Sequence, residues 1–300
     1  MTTNKRRLLT AGVLALIVAL FLLAIPAQAE ETNVFMWEVC SENGTAFLLG
    51  SMHLAPKSLY PLDERIEDSF KSSSNLVVEI DPTKNQLMVQ AMFLARACIT
   101  NGLMLEDLVS VTTMEKLDTA CSRYGISPLF FNAFKPWFVA MSVETLELMS
   151  MGFSPMNGID MHFLTAARGS KTVLELESAA MQLDLVDNVL GPHGDKLLLL
   201  TLSELENSAR DVGSILTCWK TGDAEALEKV LMKSLADDPE LAPVYEELYF
   251  KRNVQMAEKV QGFLKKGGTY FVVVGACHMV GKKGIVQLLK DTGKYSVRQF

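Results

Sequence analysis

Thr269-Tyr270-Phe271-Val272-Val273-Val274-Gly275-Ala276-Cys277-His278 begins as an unbroken β-branched and aromatic run, stops at a glycine and places a histidine three residues later. Such a run predicts a strand buried on both faces. The same device recurs near the other end of the chain, where Ala46-Phe47-Leu48-Leu49 runs into Gly50-Ser51-Met52-His53. The chain has only four histidines, and two of them share this local context. Open α/β sheets gather their chemistry at the carboxyl ends of strands, so the two imidazoles are expected to face one cleft. Gly50 and Gly275 are expected to take positive φ and turn the chain sharply off each strand.

Around these runs the sequence alternates strands and helices. Val34 to Val39 and Thr45 to Leu49 flank Asn43-Gly44 as a hairpin. A helix follows Pro61, with Asp63 and Glu64 in its first turn and Ile66 and Phe70 on one face. Leu76-Val77-Val78-Glu79-Ile80 is a buried strand broken by Asp81-Pro82, and Lys171 to Leu176 is another short strand. From about residue 83 to 169 the chain is largely helical, with Thr112-x-x-Glu115 as a capping box and Gly125 as a stop. A late helix from Arg252 carries Val254, Ala257, Val260 and Phe263 at helical spacing. A helix from Lys282 to Lys290 and an edge strand from Tyr295 to Phe300 close the chain. The expected fold is one α/β domain over residues 30–300, a central mixed β-sheet with helices on its faces and a large helical insertion.

Residues 1–29 read as an export signal. Lys5, Arg6 and Arg7 precede an apolar stretch from Leu8 to Ile25, and Ala27-Gln28-Ala29 is a small-x-small cleavage site. The expected location is periplasmic or extracellular, with an N-terminal membrane anchor as the alternative if the segment stays attached. Without the three leader cations, 25 basic residues face 35 acidic ones, a formal charge of −10. That argues against a nucleic-acid partner. Cys40, Cys98, Cys121, Cys218 and Cys277 are far apart and have no zinc-knuckle spacing.

The strand ends hold His53, Glu79, Glu175, Glu177 and His278, and two imidazoles with a carboxylate are a common ligand set for a divalent transition metal. Glu79 interrupts an apolar strand, where a charge is costly without a partner. Glu177 can instead cap the helix starting near Ser178. Asp160, in Gly158-Ile159-Asp160-Met161-His162, can cap a helix or orient a histidine ligand; His162 reads as a packing residue more readily than a ligand. Arg252-Asn253 offers either a solvent-facing ion pair or an anion contact in the cleft. Met149, Met151, Met156 and Met161 suit core packing or an adaptable apolar cleft. No nucleophile elbow, phosphate loop or dinucleotide fingerprint is present.

In their order along the chain, several segments resemble the TraB/GumN family, related to the Tiki proteases and more distantly to erythromycin-esterase-like and ChaN-like proteins. They include Trp37, Leu49-Gly50-Ser51-Met52-His53, Val78-Glu79-Ile80, Lys135-Pro136-Trp137, Gly158-Ile159-Asp160, Leu174-Glu175-Leu176-Glu177, Gln182, Trp219-Lys220-Thr221-Gly222-Asp223, Arg252-Asn253 and Val274 to Gly281. Ser51 stands where threonine is usual, and Cys277 where a small residue is common. The resemblance implies a metallohydrolase centre of His53, His278 and Glu79. The expectation is therefore an exported metal-dependent hydrolase, a peptidase first, holding manganese, cobalt or zinc. Glu79 would be a ligand or general base, Arg252 would stabilise negative charge, and Gly50, Gly275, Asp160, His162, Glu175, Glu177 and Asn253 would support them. The alternatives are a non-catalytic scavenger of a peptide or haem, and a metal-independent His/Glu esterase-like hydrolase. The sequence leaves substrate, metal identity and oligomeric state open.

Overall fold

The computed structural model describes residues 33–233 and 238–300; the proposed export signal lies outside them. Residues 34–300 form one compact unit. Its centre is a six-stranded mixed sheet in the order β6-β4-β7-β2-β1-β8. The strands are β1 (Met36–Cys40), β2 (Gly44–Ser51), β4 (Asn75–Val78), β6 (Thr172–Glu175), β7 (Gly268–Gly275) and β8 (Ser296–Gln299); β3 (Ala55–Pro56) and β5 (Phe153–Ser154) pair separately. β6, β4, β7 and β2 run parallel, whereas β1 is antiparallel to both β2 and β8.

β7 lies at the heart of this sheet because its sequence leaves it no polar face. Phe271, Val273 and Val274 are completely buried and Val272 nearly so, each side chain contributing about 1.5–3 kcal/mol of burial free energy. β2 pairs with β7 over eight register positions, from Gly44 opposite Gly268 to Ser51 opposite Gly275. Gly50 and Gly275 do not take positive φ. The expected backbone role is replaced by a steric one. A Cβ on Gly50 would sit 2.3 Å from the Phe35 ring, so only glycine lets that ring pack on the strand.

The helix Glu64–Ser72 starts at Asp63, whose carboxylate accepts from Arg65 N at 2.9 Å, and buries Ile66 and Phe70 as expected. The helix Val111–Tyr124 is capped differently from expectation. Ser110, not Thr112, is the N-cap and accepts from Thr113 N at 3.2 Å, while Gly125 at φ +68° ends the helix as anticipated. A second core, including Leu105, Leu117, Phe131 and Val143, is completed by Leu198 and Leu202. The helical lobe thus draws on residues beyond the 83–169 segment. In the helix Lys251–Lys266 the buried stripe is Asn253, Met256, Ala257, Val260 and Leu264; Val254 faces outward, contrary to the expected spacing. The closing helix is Ile285–Asp291, shifted a few residues from Lys282–Lys290, and β8 is the expected edge strand.

Candidate functional site

All four parallel strands end at one rim of the sheet, and their final residues converge there. Val78 lies opposite both Val273 and Glu175. The β4–β6 pairing continues past the strands through Leu176 N to Val78 O and Glu177 N to Glu79 O, both 2.8 Å, which places Glu79 and Glu177 side by side. Gly275 is the floor between the groups. A Cβ there would lie 3.2 Å from Glu79 Oε1, 3.5 Å from His53 Nε2 and 3.5 Å from His278 Cδ2. The missing side chain therefore leaves one small space faced by both histidines and the carboxylate.

The repeated Gly-x-x-His unit produces two different local structures. After β7, Ala276–Met279 forms a single helical turn and His278 is buried, at 3% exposure. After β2 the chain turns without a helix; His53 is crowded by protein, yet 61% of its side chain is reachable by water. Each ring is pinned at Nδ1. Asn253 Nδ2 donates to Lys283 O at 2.8 Å, so its Oδ1 must face His278 Nδ1, 2.6 Å away, and accept the proton held there. Asp160 Oδ2 accepts from His53 Nδ1 at 2.9 Å and also from the Ser51 hydroxyl. Gly158, not Asp160, is the N-cap of Ile159–Ala167. A Cβ on Gly158 would meet His53 O at 2.2 Å, so glycine lets this loop pass close enough to deliver Asp160. Neither Nε2 atom has a hydrogen-bond partner among the described residues.

The two rings differ in charge. Burial depresses His278 to a pKa of about 4 despite Glu79, so it is neutral at physiological pH. Burial also opposes charge on His53, but the charge and hydrogen bond of Asp160, with Glu79 beyond, raise it to about 9. The sign of the linkage follows: the His53 contribution to stability of the metal-free protein is complete below about pH 6.5 and is lost as pH rises through about 9. Urea midpoints of wild type and Asp160→Asn should therefore converge between pH 6 and 9.5. A difference that stays constant across that range would contradict the charged pair.

Arg252 is the hub of the carboxylates. Its Nε donates to Glu177 Oε1 at 2.8 Å, and Nη2 donates to Glu177 Oε2 at 2.6 Å and to Glu79 Oε2 at 2.9 Å. Nη1 donates to Leu248 O at 2.9 Å. Gln182 Nε2 bridges Glu177 at 2.8 Å and Glu79 at 3.3 Å. Glu79 Oε1 accepts from Gly275 N at 2.7 Å, which leaves that oxygen one lone pair toward the shared space. Burial works against the Glu79 charge, yet its carboxyl is held below the usual range. The charges of His278, His53 and Arg252 and the Gly275 N–H do that work.

Two expected supporting residues point elsewhere. Glu175 accepts from Asp81 N at 2.8 Å and Lys84 Nζ at 2.7 Å. His162 pairs through Nε2 with Glu67 at 2.9 Å, meets the Tyr60 ring at a tilt and packs edge-on against Phe163. Glu177 does not cap the following helix; Ser178 does. The five cysteines are unpaired, and burial pushes the Cys277 thiol up to about 12, which leaves it unreactive. Sequence reasoning missed Ser51 as a partner of Asp160, and Tyr249, whose ring lies 5.5 Å from that of His278. Cys277, burial, Tyr245 and Glu144 push the Tyr249 ionisation up, so its phenol is neutral. Its position three residues before Arg252 on a helical segment was the available signal.

Two imidazole nitrogens and a carboxylate suit a borderline divalent ion, and an acceptor at the opposite ring nitrogen is how histidine ligands are commonly held. The donor types fit such an ion. Among the described residues, no three His, Cys, Asp or Glu side chains are already gathered into a ligating group, so the fit lies in donor chemistry and not in a closed coordination sphere.

The TraB/PrgY/gumN family model matches residues 35–299. YbaP of Shigella flexneri is 26% identical over 249 residues, 83% of this chain and 89% of its own length. YbaP of Escherichia coli K12 is 26% identical over 244 residues, 81% of this chain and 87% of its own. A Treponema pallidum protein is 21% identical over 281 residues, covering 89% and 83% respectively. All three relatives carry the description uncharacterized. No solved structure matches.

Proposed function

The chain belongs to the TraB/PrgY/gumN family, and we infer that it is an exported hydrolase, acting on peptides, with its centre at the rim of the parallel strands. The observation that carries this reading is the pinning of both imidazoles at Nδ1, with Nε2 of His53, the Nε2–Cδ2 edge of His278 and Glu79 Oε1 round the space above Gly275. His53, His278 and Glu79 would hold a divalent ion, which would polarise the scissile carbonyl and acidify water. Asn253 fixes the His278 tautomer, and Asp160 does the same for His53. Arg252 holds Glu79 Oε2, so that the free lone pair of Oε1 serves as ligand or proton acceptor. With four of its five N–H groups committed, Arg252 acts chiefly by orienting Glu79.

A second reading, acid–base hydrolysis without an ion, draws support from the opposed histidine pKa values, about 9 and about 4. Among the described residues no helix is long and apolar enough to cross a membrane; export rests on the leader sequence. Digestion of a broad peptide pool, read by mass spectrometry with and without chelator, tests these readings. Cleavage abolished by chelator and restored by manganese, cobalt or zinc is the expected result. Cleavage that survives chelation selects the acid–base reading. Absence of cleavage in every ion form would remove the peptidase assignment and favour a binding protein. An apolar groove of about 640 Å³ lined by Phe93, Phe130, Phe138 and Met141 would then be the place to look for a ligand.

A further inference from the structure

Hydrolysis of an acyl compound needs a donor for the oxygen that becomes negative at the tetrahedral stage. Arg252, the expected donor, has nearly all of its N–H groups spent on Glu79, Glu177 and Leu248. The adjoining turn supplies a group that is unspent. Glu246–Phe250 is a π-helical turn set between the helices Ala242–Tyr245 and Lys251–Lys266, and such wide turns recur at functional sites. Tyr249 lies on it. Its ring packs 5.5 Å from His278 at 48° and 5.3 Å from Tyr245, which fixes it on the wall beside the buried histidine. Its hydroxyl has no hydrogen-bond partner among the described residues and is not sealed from water, so it keeps a donor to spare.

We propose that the Tyr249 hydroxyl is the hydrogen-bond donor to the tetrahedral oxyanion formed at this centre, a role that rests on the hydrolase reading above. The phenol keeps its proton throughout and supplies only the hydrogen bond. The wide turn has a purpose in this account: it presents Tyr249 beside His278 while Arg252 and Asn253, three and four residues on, remain free to hold Glu79 and His278.

Inorganic phosphate, a tetrahedral oxyanion, tests this without a known substrate. Calorimetric titration should show Tyr249→Phe binding phosphate about tenfold more weakly than wild type. Tyr245→Phe, at the neighbouring ring, should stay within about twofold of wild type on the same scale. Because the lost hydroxyl has no hydrogen-bond partner among the described residues, thermal unfolding of Tyr249→Phe should match wild type. Equal phosphate affinity in wild type and Tyr249→Phe overturns the proposal, as does a folded wild type that binds no phosphate. Weakened phosphate binding in Tyr249→Phe, combined with no cleavage of the peptide pool, keeps Tyr249 as an oxyanion donor and removes the hydrolase reading instead.

Discussion

Arg252→Met should lower the free energy of unfolding by about 3–5 kcal/mol, a large share of the roughly 5–15 kcal/mol that holds a typical domain together. The guanidinium neutralises two carboxylates that have almost no access to water. Side-chain exposure is 12% for Arg252, 8% for Glu79 and 2% for Glu177. Methionine keeps much of the volume but strands both charges; among the described residues Gln182 and the Gly275 N–H are the hydrogen-bond donors left to them. Adding Glu177→Gln should recover part of the loss, because one stranded charge disappears. Urea unfolding of the two variants and wild type measures this directly. A loss below about 1 kcal/mol in the single variant would mean that the clamp is no more than a surface ion pair.

Glu79→Gln should reduce turnover of whichever peptide the digestion identifies by about a thousandfold or more, while leaving the protein folded. The amide keeps the shape and can still accept from Gly275 N, but it neither accepts a proton usefully nor ligates a cation as a carboxylate does. The range for loss of a positioned acid or base is about 10²–10⁴, and the ligand role would add to it. Circular dichroism and kcat on the same preparation separate folding from chemistry. A folded Glu79→Gln within about tenfold of wild type would rule out both roles for this residue.

The sheet was legible because parallel strands buried on both faces read as continuous apolar runs, and β7 and β4 are such runs. The glycine-histidine units and Glu79 were legible as interruptions of those runs. Less of the arrangement around them could be read. Arg252 meets Glu177 and Glu79 across 75 and 173 residues, and no local pattern encodes such a pairing. Two copies of one motif gave a turn after β2 and a helical turn after β7, and the two strands are offset by one position, with Ser51, not Gly50, opposite Gly275. Val254 was misplaced on its helix because a hydrophobic residue at helical spacing need not lie on the inner stripe, which Met256 and Leu264 occupy instead. The capping of Val111–Tyr124 moved from Thr112 to Ser110 because two hydroxyl residues competed and only Ser110 has extended backbone geometry, at φ −72° and ψ 157°. Glu175 resembles Glu177 in sequence, but it is the last residue of β6 and its carboxylate is taken up by Asp81 N and Lys84, whereas Glu177 lies past the strand end beside Glu79.

The central claim is that His53 and His278 serve one divalent ion. Cobalt titration of residues 30–300, purified without a histidine tag and followed by the visible absorption of the bound ion, tests it most directly. Wild type should bind about one equivalent, and that equivalent should be lost in both His53→Ala and His278→Ala. A folded wild type that takes up no cobalt, manganese or zinc, or variants that bind cobalt as well as wild type does, would contradict it.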